Sequence, residues 1–232
     1  MPLILRKQVL LIIALAVLAP VAFMLVNSVR SQSPRMPEDR SDVEAVRRGG
    51  LREAARIKGK YVTSLRTSYW LKYELESLAK NSANVVVGTP IDSEARLSPD
   101  GQTITTEYHF KVLESLKGTL SSGETIVVSL PGGKIVFEDG TSAEVNTPDL
   151  EGMMNSQSYA IFLSPRTTTS GGFSLTGAGQ GLFELNNEKQ SVKPHGHAVD
   201  PSQKHKGENV EVFLDEVRSA IRKYPDVSSC CY

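Results

Sequence analysis

Three histidines crowd one polar stretch: His195 and His197 flank Gly196, His205 follows, and Asp200 lies between. Neutral imidazoles are good ligands for zinc-class cations, and converging here they would give a metal-dependent hydrolase its centre. The spacing fits no structural zinc pattern and no His-Glu-x-x-His helix, and Lys193, Lys204 and Lys206 would repel a cation. A solvated loop is therefore the expectation at His195, His197 and His205. Gly177, Gly179 and Gly181 have the look of a phosphate cradle, but β-pattern lies on both sides where such a loop would open a helix. A bulge or sharp corner fits better. Gln180 is then either offered to a partner or spent on buried backbone groups, which makes Gly179, Gln180 and Gly181 the candidate binding surface.

Signatures of nucleophilic catalysis are missing. Gly172-Phe173-Ser174-Leu175-Thr176-Gly177 has the wrong spacing for Gly-x-Ser-x-Gly, with no helix after it. Asp139 and Glu144 form a carboxylate pair of the kind glycosidases use, yet they flank a predicted hairpin tip where charges are ordinarily solvated. His109 alternates with an apolar strand face and should point to solvent. The expectation is no catalytic residue, no cofactor and no metal.

Composition narrows the partners. Residues 1–29 hold two bases and no acid; without them 24 basic side chains face 26 acidic ones, and no basic stripe with interleaved aromatics attracts nucleic acid. The two cysteines, Cys230 and Cys231, are neighbours at the end of the chain and cannot staple a fold. Residues 9–26, VLLIIALAVLAPVAFMLV, form an unbroken apolar run behind Arg6-Lys7. At about 1.5 Å rise per residue such a helix nearly spans a hydrocarbon core of about 30 Å, and it exceeds the apolar length usual in a signal peptide. The reading is a single-pass N-terminal anchor with the rest of the chain extracytoplasmic; the alternative is secretion after signal cleavage.

The elements beyond the anchor follow from periodicity. Residues 30–60 read as a linker and stalk helix interrupted by Gly49-Gly50. Leu71, Leu75 and Leu78 fall on one face of a helix predicted over 68–80. Val85-Val86-Val87 suits a buried strand ending at Gly88-Thr89-Pro90. Ile104, Thr106, Tyr108, Phe110 and Val112 alternate, as do Ile126, Val128 and Leu130, then Tyr159, Ile161 and Leu163. Asp139-Gly140 between Ile135-Val136-Phe137 and Ala143-Glu144-Val145 signals a hairpin. After a polar loop over 193–208, residues 209–225 form an amphipathic helix closed by Pro225, and 226–232 are a tail. The fold class is mainly β (α+β), a five- to seven-stranded antiparallel OB-like barrel or sandwich over 61–192 with flanking helices and an N-terminal transmembrane helix.

Three segments carry a resemblance: Ala83-Asn84-Val85-Val86-Val87-Gly88, the long run from Tyr108 to Lys117-Gly118, and Gln157-Ser158-Tyr159-Ala160-Ile161-Phe162-Leu163. Together they resemble the strands of a netrin-like domain, the OB-type barrel shared with tissue inhibitors of metalloproteinases, in an exported bacterial setting. The family's disulfide framework is missing, so the resemblance implies the fold and no inhibitory residue. The function expected is a membrane-tethered extracytoplasmic module that binds an unknown protein or peptide, with loops 92–102, 146–156 and 164–172 as contact surfaces. The competing expectations are the metal-dependent hydrolase above and a structural envelope protein cross-linked through Cys230 or Cys231. Protease added to intact cells should digest the chain beyond residue 30; protection until the membrane is permeabilised would place that part inside instead.

Overall fold

A computed structural model describes residues 40–65, 71–148, 150–166 and 171–224, so the run over 9–26 and the tail lie outside the described residues. The chain divides into two compact units, Met1–Val43 and Glu44–Tyr232, and the packing below belongs to the second. Among the described residues no helix is long and apolar enough to cross a membrane.

The elements in order are α1 (Arg40–Lys58), β1 (Lys60–Ser64), α2 (Leu75–Asn81), β2 (Asn84–Leu97), β3 (Ile104–Lys117), β4 (Thr125–Pro131), β5 (Gly133–Val136), β6 (Ser142–Asn146), β7 (Ser158–Pro165), β8 (Phe173–Leu175), β9 (Leu182–Asn186), β10 (Ser191–Pro194) and α3 (Val210–Lys223). They make a mainly β architecture with two sheets. One has seven strands in the order β10-β9-β7-β2-β3-β4-β8, and the other has three in the order β1-β6-β5. Both sheets are mixed, which corrects the antiparallel expectation: β1 runs parallel to β6, and β4 parallel to β8. β8 also pairs with β7, but it bridges β4 and β7 over only two or three residues, and no barrel closes along the full strands.

Strand β7 is buried on both faces. Tyr159, Ile161 and Leu163 meet Val86, Tyr108, Phe110, Val112, Ile126 and Val128 inside the curled sheet. Ala160 and Phe162 turn the other way, against α2, α3 and β9. Helix α3 is amphipathic as its sequence predicts, with Val210, Phe213, Leu214, Val217 and Ala220 buried. Asn209 caps it, accepting from the backbone N–H of Glu211 (3.0 Å) and Val212 (3.4 Å).

Several expectations are corrected. The helix predicted over 68–80 is only α2; Leu71 is exposed and Leu71–Glu74 are irregular. The reason is Gln180, whose side-chain oxygen accepts from Tyr73 N–H (2.8 Å) and whose amide donates to the Leu71 carbonyl (3.1 Å). Those are backbone groups a helix would need. β2 runs on through Pro90 to Leu97, so residues 92–97 are strand and the turn begins at Ser98. β7 pairs with β2 only over Asn84–Gly88; beyond that β2 has β3 alone as neighbour, and a proline is tolerated as on any edge. Residues 44–58 are no loose stalk: Ala45, Leu51, Ala54 and Ala55 pack with Tyr61, Ile104, Phe137, Ala143 and Val145. The stretch 193–208 is not a solvated loop either, since it contains the end of β10 and a 3-10 turn (Pro201–His205), with His195, Asp200, Ser202 and His205 buried.

Phe213 is fully buried and its ring centroid lies 4.7 Å from that of Phe183. Phe213→Ala should cost about 3–5 kcal/mol in urea unfolding.

Candidate functional site

The chain passes from the large sheet to the small one at Pro131-Gly132-Gly133. Both glycines have positive φ, 95° and 134°, and a Cβ on Gly133 would collide with Thr106 Oγ1. The crossing is pinned from three sides. Thr106 Oγ1 donates to the Gly132 carbonyl (2.7 Å), Gly132 N–H donates to the Ile104 carbonyl (2.8 Å), and Thr147 Oγ1 donates to the Pro131 carbonyl (3.0 Å). This bend separates the sheets and leaves a cleft of about 640 Å³ between them. Ser64, Lys134, Glu144 and Asn146 line it from the small sheet, Thr106, Tyr108 and Leu130 from the large one, and Pro148, Leu150, Glu151 and Gly152 from the loop after β6.

Two buried tyrosines hold that loop. Tyr159 Oη accepts from Met154 N–H at 2.9 Å, and the Tyr108 hydroxyl packs so closely on Gly152 that a Cβ there would collide with it. Burial pushes both phenols above their ordinary value, so both stay protonated. Met153 and Leu150 anchor the loop in the core, while Met154 and Glu151 face out. Glu151 also accepts from Lys193 Nζ (2.8 Å), which lies 3.6 Å from Glu184 on β9. The partnership with Lys193 draws the Glu151 carboxyl below its usual range and raises Lys193. His195 completes the cluster, with Nε2 3.9 Å from Glu184 Oε2, too far for a hydrogen bond. That nitrogen is buried without a partner. Burial, aided by Lys193, lowers the affinity of His195 for a proton.

The residues singled out from sequence are distributed differently from their spacing. Gly179, Gln180 and Gly181 are buried in a 3-10 turn, with Gln180 spent on Leu71 and Tyr73 as described. His195, His197 and His205 do not converge. Among the described residues the one group of three side chains able to share a cation is His205, Glu208 and Glu216. His109 is half exposed and paired with Asp92. Of the three loops, the one over 146–156 lines the cleft; the other two contribute none of its lining residues.

Sequence reading missed Tyr108, Tyr159 and Glu184. A signal existed for each. Tyr108 and Tyr159 are the polar-tipped members of otherwise apolar strand faces, and a buried phenol demands a partner. Glu184 interrupts the apolar run Leu182-Phe183-Glu184-Leu185. Compared with protein-family profiles and with curated proteins, the chain matches none.

The depressed proton affinity of His195 has a stability consequence. Between its folded value and the ordinary imidazole value near 6.5, the unfolded chain binds the extra proton. This contribution is present above about pH 6.5 and is lost as pH falls below it. Urea unfolding from pH 8 to pH 5 should show a decline that His195→Gln reduces.

Proposed function

We propose that this chain is a membrane-tethered, extracytoplasmic binding module of the netrin-like, OB-type kind, and that the cleft between its two sheets receives a protein or peptide segment. The observation that carries the reading is the cleft itself. Its size suits a ligand-binding concavity. Its walls are strands of two sheets and its rim is a loop held by the buried Tyr159 hydroxyl and packed on Tyr108, the arrangement of a binding loop on a rigid scaffold. Lys134, Glu144 and Glu151 bring both signs of charge to the lining, alongside Tyr108 and Leu130. This is the chemistry of polypeptide recognition rather than of a polyanion.

Support for the OB-type part comes from the pairings. β7, β2, β3, β4 and β8 are each paired to the next, and β8 pairs back to β7, as five strands would in a partly open barrel. The tether rests on the apolar run over 9–26 behind Arg6-Lys7. A membrane-anchored module needs no net charge to find its partner, in keeping with the near balance of acids and bases.

The test is capture of a partner from solubilised membranes by the full-length chain, at raised salt to remove loose electrostatic contacts. Ser64 is exposed at the end of β1 and lines the cleft. Ser64→Trp should fill the cleft and abolish capture while leaving the unfolding transition within about 0.5 kcal/mol of the parent. Capture that persists undiminished in Ser64→Trp would remove the cleft from the reading.

A further inference from the structure

The His205, Glu208 and Glu216 cluster lies outside the cleft and is independent of the proposal above. We infer that it is a binding site for one divalent cation of the zinc class. The three ligand atoms, one imidazole nitrogen and two carboxylate oxygens, all lie within 4.8 Å of one another. His205 Nδ1 is 2.6 Å from Glu208 Oε2 and 3.7 Å from Glu216 Oε2. At metal–ligand distances of about 2.0–2.2 Å, one ion can reach all three with small side-chain rotations.

The imidazole is prepared for this in a way that a surface histidine is not. Its side chain is 3% exposed, wedged against Phe183 and Phe213 with ring centroids 6.1 and 5.2 Å away. Without an ion Nδ1 is hydrogen-bonded to Glu208 Oε2, so it is the ring nitrogen held toward the two carboxylates. The scaffold is tied down as well. Gly207 N–H donates to the Val192 carbonyl (2.8 Å), and Val192 N–H donates to that of Glu208 (2.9 Å). The Asn209 cap then fixes the start of α3, which carries Glu216. A site is most effective when its ligands stand on such rigid elements.

Charge favours the same occupant. Two carboxylates face one imidazole, and a dication neutralises both. Of the two lysines that flank His205, Lys204 is engaged by Glu74 at 3.1 Å. The Glu216 side chain is half exposed, which leaves room for water to complete the coordination. One nitrogen and two oxygens suit zinc better than calcium or magnesium, which take all-oxygen sets. The ion would join the 3-10 turn Pro201–His205 to the second turn of α3.

The experiment measures zinc binding to the metal-stripped full-length chain by competition with a fluorescent zinc indicator. Cys230→Ser and Cys231→Ser are made throughout, because adjacent thiols bind zinc themselves. One saturable zinc per chain is expected, weakened at least about tenfold by Glu216→Gln and retained by Glu216→His, which supplies a nitrogen in place of the oxygen. Because Glu216 is half exposed, Glu216→Gln is expected to fold even where Glu208→Gln does not. Absence of a saturable site, or an affinity that Glu216→Gln leaves within tenfold of the parent, overturns the inference.

Discussion

Strand β7 has no solvent face. From Tyr159 to Leu163 every residue is buried, so this strand needs apolar cover on both sides, and the rest of the second unit supplies it. On one side the large sheet curls so that β2, β3 and β4 bring Val86, Phe110, Val112 and Val128 over Tyr159, Ile161 and Leu163. On the other, α2 and α3 lay Leu78, Phe213 and Val217 over Ala160 and Phe162. At about 25 cal/mol per Å² of apolar area, burial on this scale is the main force holding a domain without disulfides together. The unit needs no cross-link between distant cysteines, and the chain has none to offer.

Much of this was legible in the residues. Strict alternation from Ile104 to Val112 marks β3, Asp139-Gly140 marks the β5–β6 turn, and the 3.6-residue spacing of Val210, Phe213, Leu214 and Val217 marks α3. In each case one local pattern suffices because one face is buried and the other is wet. What was illegible depends on partners far away in sequence. Leu71–Tyr73 has a helical pattern, but Gln180 takes its backbone groups. The glycine-flanked glutamine could be read as bait for a partner or as internal ligature; only its neighbours in space distinguish the two. β1 is short and weakly patterned, and its place is set by pairing with β6.

The histidines teach a related lesson. Spacing groups His195, His197 and His205, whereas folding separates them: His205 bonds Glu208, while His195 Nε2 is buried 3.9 Å from Glu184 without a hydrogen bond. A polar stretch of sequence is not necessarily a wet stretch of structure. Here Asp200, accepting from His197 N–H at 2.8 Å, organises the turn from within.

The parallel pairing of β1 with β6 joins residues 60–64 to residues 142–146, with β2, β3 and β4 lying between them in the chain. Closing so long a loop costs more entropy than closing the local hairpins β2–β3 and β5–β6. In the order of the chain, every residue that lines the hollow, from Ser64 to Gly152, precedes β7, so the wall is written before the strand on which the core is built.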